Sequence, residues 1–117
     1  MNVSSNTLSG IATSGTATTV TGIITSGTMS GTTPAVVVDS NLLGTSSLNW
    51  IRYAFPTSGT LTGISVANSV ATSHSVQSNN IRGISHTSAS THSMTLMNFT
   101  GGTAANNVST ISNNLFT

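Results

Sequence analysis

Apolar residues in this chain come singly or in short runs between Ser, Thr, Asn and Gly, and no 3.6-residue period lasts beyond two turns. That spacing disfavours helix and favours short strands bounded by turns. One arrangement recurs, Ser-Asn-x-(Leu/Ile), with its Asn at Asn6, Asn41, Asn79 and Asn113, at intervals of 35, 38 and 34 residues. A second recurs between the copies: Thr19-Val20-Thr21-Gly22-Ile23-Ile24, Thr60-Leu61-Thr62-Gly63-Ile64-Ser65-Val66 and Ser93-Met94-Thr95-Leu96-Met97. Each repeat reads as strand, turn, strand, turn. Turns are predicted at 14–16, 26–28, 30–34, 58–60 and 101–103.

A period near 35 residues, built of short strands, predicts an all-β parallel β-helix. The expected layout is one domain over 1–117, with repeats at 3–37, 38–75 and 76–109 and a fourth begun by 110–117. That makes about three coils plus the first strand of another. Equivalent residues of successive coils lie about 4.8 Å apart. An Asn at one point of every coil then bonds to the Asn above and below, forming a ladder of side-chain amides. The predicted ladder is Asn6, Asn41, Asn79 and Asn113, and Asn also tolerates the left-handed conformation of a corner. The expected apolar columns are Val3/Val38/Val76, Leu8/Leu43/Ile81/Leu115 and Val20/Leu61/Met94, with Ile11/Ile84 and Ile23/Ile64/Met97 beside them.

The pattern Val-x-Ser-Asn-x-(Leu/Ile)-x-Gly-Ile followed by Thr-Gly-Ile resembles the repeats of right-handed parallel β-helix proteins. More narrowly, it resembles the Ser/Thr/Asn-rich repeats of very large secreted bacterial surface proteins, which are often adhesin-like. The resemblance implies an extracellular or cell-surface location. It also raises the polysaccharide lyase and hydrolase activities of other β-helix proteins.

Composition bears on those activities. Ser, Thr, Asn and Gly fill 66 of 117 positions, and the only fully charged side chains are Asp39, Arg52 and Arg82. Glycoside hydrolysis needs two carboxyl groups and a calcium-assisted lyase needs several, so a chain with one carboxylate side chain is expected not to be an enzyme of either kind. A Ser-His-Asp triad has its residue types, but Asp39 occupies a position read as Ser4, Gln77 and Ile111 in the other copies and is expected to face solvent. His74, His86 and His92 are read as surface residues among hydroxyls, and neither a metal nor a cofactor is expected. Two Arg and no Lys give no surface for tracking phosphates, so no nucleic-acid partner is expected. No apolar run approaches the ~20 residues that span a bilayer, and no membrane insertion is expected. Met1 leads into a polar segment that lacks the pattern of a signal peptide. The chain has no Cys, hence no disulfide framework.

Two features stand out from the repeats. Leu48–Pro56 carries the only Trp and the only Tyr, so Trp50, Arg52 and Tyr53 are candidate contacts for a partner or a surface glycan, or else aromatic filling of an expanded coil. Thr19, Thr21, Thr60, Thr62, Ser93 and Thr95 form three hydroxyl-x-hydroxyl rungs, which resemble the surfaces of β-solenoid ice-binding proteins. Neither end carries a charged or helical cap, and open backbone is expected to pair with copies of the chain or with adjoining repeats. The function expected is a non-enzymatic structural module of an extracellular filament, fibre or adhesin. Its alternatives are an ice-binding surface and a carbohydrate-binding surface around Trp50.

Overall fold

In the computed structural model the described residues are 1–13, 19–29, 35–53, 58–69, 73–86, 91, 93–101 and 108–117, without the side chain of His86; they form strands and turns and no helix. The first repeat supplies β1 (Asn2–Ser4), β2 (Thr7–Leu8), β3 (Ile11–Thr13) and β4 (Val20–Thr28). The second supplies β5 (Ala35–Asp39), β6 (Leu42–Leu43), β7 (Ile51–Tyr53) and β8 (Thr60–Ser69). The third supplies β9 (Ser73–Gln77), β10 (Asn80–Ile81), β11 (Ile84–His86) and β12 (Ser93–Thr100), followed by β13 (Val108–Ser112) and β14 (Leu115–Phe116). Each strand pairs in parallel with the one four places on. Four sheets result: β1-β5-β9-β13, β2-β6-β10-β14, β3-β7-β11 and β4-β8-β12. An all-parallel arrangement stepping by a constant four strands is the order of a solenoid.

Four strands per repeat replace the two that the apolar pattern predicts. The extra corners are backbone events inside the motif. Ser5, Ser40, Ser78 and Asn113 take φ of +58, +59, +54 and +55°, which turns the chain between the first and second sheets. Gly10, Gly44 and Gly83, at φ +74, +89 and +70°, turn it again before the third. The left-handed residue is therefore the one before the ladder Asn, not the ladder Asn itself. Another correction concerns 26–28, which continues β4 as Ser26–Thr28 paired with Ala67–Ser69 instead of forming a turn.

Serine in the left-handed region costs roughly 1 kcal/mol, whereas Asn occupies it more readily. The chain itself makes the exchange at Asn113. Ser78→Asn at this exposed corner should therefore raise the unfolding free energy by about 0.5 kcal/mol in urea titration. A drop instead would assign the Ser hydroxyl a role of its own.

All four sheets turn one face to a common core of Ile23, Val36, Val38, Leu43, Trp50, Ile51, Tyr53, Leu61, Ile64, Val66, Val76 and Ile81. The predicted columns align. Val3, Val38, Val76 and Ile111 share one register, as do Ile11, Ile51 and Ile84, and Ile23, Ile64 and Met97. In the Leu8/Leu43/Ile81 column the fourth member is Phe116, displacing Leu115 by one position. A one-residue slip would swap the faces of the strand, so apolar burial decides the register.

The pairing register skips Gly22 and Gly63 after Thr21 and Thr62, and both positions need glycine. A Cβ on Gly63 would collide with the Leu96 carbonyl oxygen, and one on Gly22 would stand 2.7 Å from the Gly63 oxygen and 2.8 Å from Trp50 Cζ2. That close passage lets successive repeats stack at strand distance while Trp50 fills the space beneath.

Candidate assembly surface

The ladder lies at the corner between the first two sheets, and its geometry follows from the amide's two donors and one doubly accepting oxygen. Asn41 Oδ1 accepts from the Asn6 backbone N–H (3.1 Å) and from Asn6 Nδ2 (2.9 Å). Asn41 Nδ2 donates to Val3 O (2.8 Å) and to Asn79 Oδ1 (2.9 Å), while the Asn41 backbone N–H also donates to Asn79 Oδ1 (3.0 Å). Asn79 repeats the set toward Val38 O and Asn114 Oδ1. Asn41 and Asn79 are 1% and 0% exposed, so these bonds form where water does not compete.

The fourth ladder residue is Asn114, not Asn113. Ser112-Asn113-Asn114-Leu115 offers two Asn, and the motif alone selects the first. The register places Leu115 beside Asn80 and Phe116 beside Ile81, which puts Asn113 at the corner occupied by Ser78. Aligning Ile81 with Phe116 would have found this from sequence.

The ladder has a direction. Every Asn-to-Asn bond runs from a donor to the Oδ1 of the next repeat, while the second Nδ2 hydrogen of Asn41, Asn79 and Asn114 reaches back to a carbonyl of the repeat before. Asn6 Oδ1 is thus left as an acceptor on the first repeat, and the Asn114 backbone N–H as a donor on the last, neither with a partner among the described residues. Apolar side chains flank these groups. Ile111, Leu115 and Phe116 are 46, 51 and 41% exposed beside Asn114, and Val3, Leu8 and Ile23 line an open recess with Asn6 at the other end.

The hydroxyl rungs lie on the outer face of the fourth sheet, with Thr21, Thr62 and Thr95 in one register and Thr60 beside Ser93. Thr60 Oγ1 donates to Thr19 Oγ1 at 3.5 Å. Thr62 is half-buried and the other five are exposed. After the register skip at Gly22 and Gly63, Ile24, Ser65 and Asn98 interrupt this array. Farther along the same strands Ser26, Thr28, Ser69 and Thr100 are exposed, with Thr28 Oγ1 3.2 Å from Ser69 Oγ.

Trp50 and Tyr53 are 0 and 1% exposed, so the rings proposed for glycan contact are inside the core; Arg52 alone of that group faces out. Alternation along β7 turns Tyr53 inward, and Trp50, which precedes the strand, enters the space left at Gly22. Burial also pushes the Tyr53 phenol above its ordinary pKa. The extra length of the second repeat lies just ahead, at 45–49, between Gly44 and Trp50.

Asp39 is half-buried on the outer face of the first sheet, where it accepts from Ser75 Oγ (2.9 Å) and the Gln77 backbone N–H (2.8 Å). Its counterparts are Ser4, Gln77 and Ser112, with Ser112 in the place assigned to Ile111. His74 is 2% exposed and packs edge-on against Phe99 at 5.2 Å, contrary to the surface reading. It points to the face opposite Asp39, so the sheet separates these two members of a triad. The His86 side chain and His92 lie outside the described residues, among which no group of three metal-ligating side chains occurs. No helix of the described residues is long and apolar enough to cross a membrane. Compared with family models, curated proteins and solved structures, the chain matches none.

Proposed function

We propose that this chain is a non-enzymatic structural module whose three complete coils and half of a fourth close into a β-solenoid. Its open ends stack on copies of itself or on adjoining repeats of an extracellular filament, fibre or adhesin. The observation that carries this reading is the polarity of the Asn ladder. An unpartnered acceptor at Asn6 and an unpartnered donor at Asn114 are complementary to each other and not to themselves. Such ends favour a head-to-tail, non-closing contact over a two-fold dimer. The exposed Ile111 and Phe116 add apolar surface to the joint, and three charged side chains offer little repulsion against it. Placement outside the cell is supported by the resemblance to bacterial surface-protein repeats.

Sedimentation velocity tests the stacking. The wild-type chain should form species whose size grows with concentration. Ile111→Lys, which sets a charge on the apolar column at the open end, should remain monomeric with an unchanged circular dichroism spectrum. Equal association by both proteins would place the joint elsewhere.

A further inference from the structure

The inserted loop at 45–49 and the outer face of the third sheet enclose a groove of about 350 Å³, lined by Ile11, Ala12, Ser47, Leu48 and Arg52. From this geometry we infer a binding site for a small monocarboxylate with an apolar body.

The cation comes first. Arg52 projects from β7 between Ala12 of β3 and Ser85 of β11, small neighbours that leave its guanidinium uncovered. It makes no ion pair or hydrogen bond with any described residue. Asp39, the only acidic side chain, lies on a different sheet and is held by Ser75 and Gln77. A planar guanidinium free to donate two parallel N–H groups matches a carboxylate.

The walls then select what carries that carboxylate. Ala12, exposed on the outer face, forms one side with the half-buried Ile11 at its edge, and Leu48, 56% exposed, forms the other. An apolar side chain held out in solvent beside a cation with no ion-pair partner among the described residues suits a ligand with one charged end and one apolar body. The volume admits a molecule the size of benzoate or hexanoate.

The loop is also pre-formed. Thr45 N–H donates to Leu48 O (2.7 Å), and Thr45 Oγ1 accepts from Leu48 N–H (2.8 Å) and Ser47 N–H (3.2 Å). Asn49 O accepts from Gly10 N–H at 2.8 Å, which ties the loop to the first repeat, and Trp50 anchors its far end in the core. A wall ordered before binding loses little entropy when a ligand arrives. The first and third repeats have two residues at this corner where the second has seven, so only the second repeat supplies a loop that can wall the groove against the first.

NMR titration of the whole chain with benzoate, and separately with benzylamine, tests the site. Benzoate should shift amides of 10–12 and 47–52, weakening as salt rises, and benzylamine should shift none of them. Arg52→Gln should weaken benzoate about tenfold or more, the loss of one charge-assisted pair. Leu48→Ala should weaken it less, and Arg82→Gln, a cation outside the groove, should leave it unchanged. Equal shifts with benzylamine, or benzoate affinity surviving Arg52→Gln in a folded protein, would overturn the inference. Neither result depends on whether the ends stack.

Discussion

Asn79→Ala will lower the free energy of unfolding by on the order of 4 kcal/mol, while Asn98→Ala, at an exposed position of β12, will change it by less than about 0.5 kcal/mol. The magnitude comes from what the truncation strands. Asn79 Oδ1 is the acceptor for both the Asn41 backbone N–H and Asn41 Nδ2, and Asn79 Nδ2 is a donor to Val38 O. Two donors and one acceptor would lose partners at a site that is 0–1% exposed, at roughly 1–3 kcal/mol each. Asn114, at the half-buried end, can rehydrate and adds little. Asn79→Asp sharpens the test. It keeps the acceptor for Asn41 but turns a second oxygen toward Val38 O and Asn114 Oδ1, both acceptors. The new carboxyl would have a raised folded-state pKa, so this variant should be least stable near neutral pH and recover as the pH falls toward about 4. Equal losses for Asn79→Ala and Asn98→Ala in thermal unfolding would remove the ladder from the account.

Trp50→Ala should cost about 3–5 kcal/mol, the range for deleting a large buried aromatic. Trp50 is fully enclosed, and its Cζ2 and Leu43 Cδ2 crowd the space that a side chain at Gly22 would need. Trp50→Phe should cost no more than about 1.5 kcal/mol. It keeps much of the volume, and it removes an indole N–H that is buried without a hydrogen-bond acceptor. Because Trp50 is the only Trp, its fluorescence should be blue-shifted in the folded state and should report unfolding directly. A wild-type spectrum typical of an exposed indole, or an Ala variant as stable as the wild type, would contradict the core placement.

The sequence made the period, the strand character and the apolar columns readable, because burial of one face per strand imposes regular spacing whatever the turns do. Val3, Val38 and Val76 could be aligned by eye. The corners were harder. A left-handed Ser leaves no compositional mark in a chain with 21 Ser, and Gly10, Gly44 and Gly83 are three of 11 Gly. In the fourth repeat Asn113 and Asn114 satisfy the same short motif, and only Phe116 falling beside Ile81 separates them. Trp50 illustrates another limit. An aromatic beside an Arg in a long repeat suggests contact, and the space left by Gly22 on a different sheet, which buries it, is invisible until the sheets are assembled. The groove beside Arg52 combines residues from 11–12 and 47–52, a pairing that follows from register and not from any local pattern.

Electron microscopy of the purified chain at high concentration, with diffraction from aligned samples, tests whether the chain stacks end to end. Head-to-tail stacking predicts unbranched filaments with a meridional repeat near 4.8 Å, lost in Ile111→Lys. Monodisperse particles the size of one chain at every concentration would contradict it.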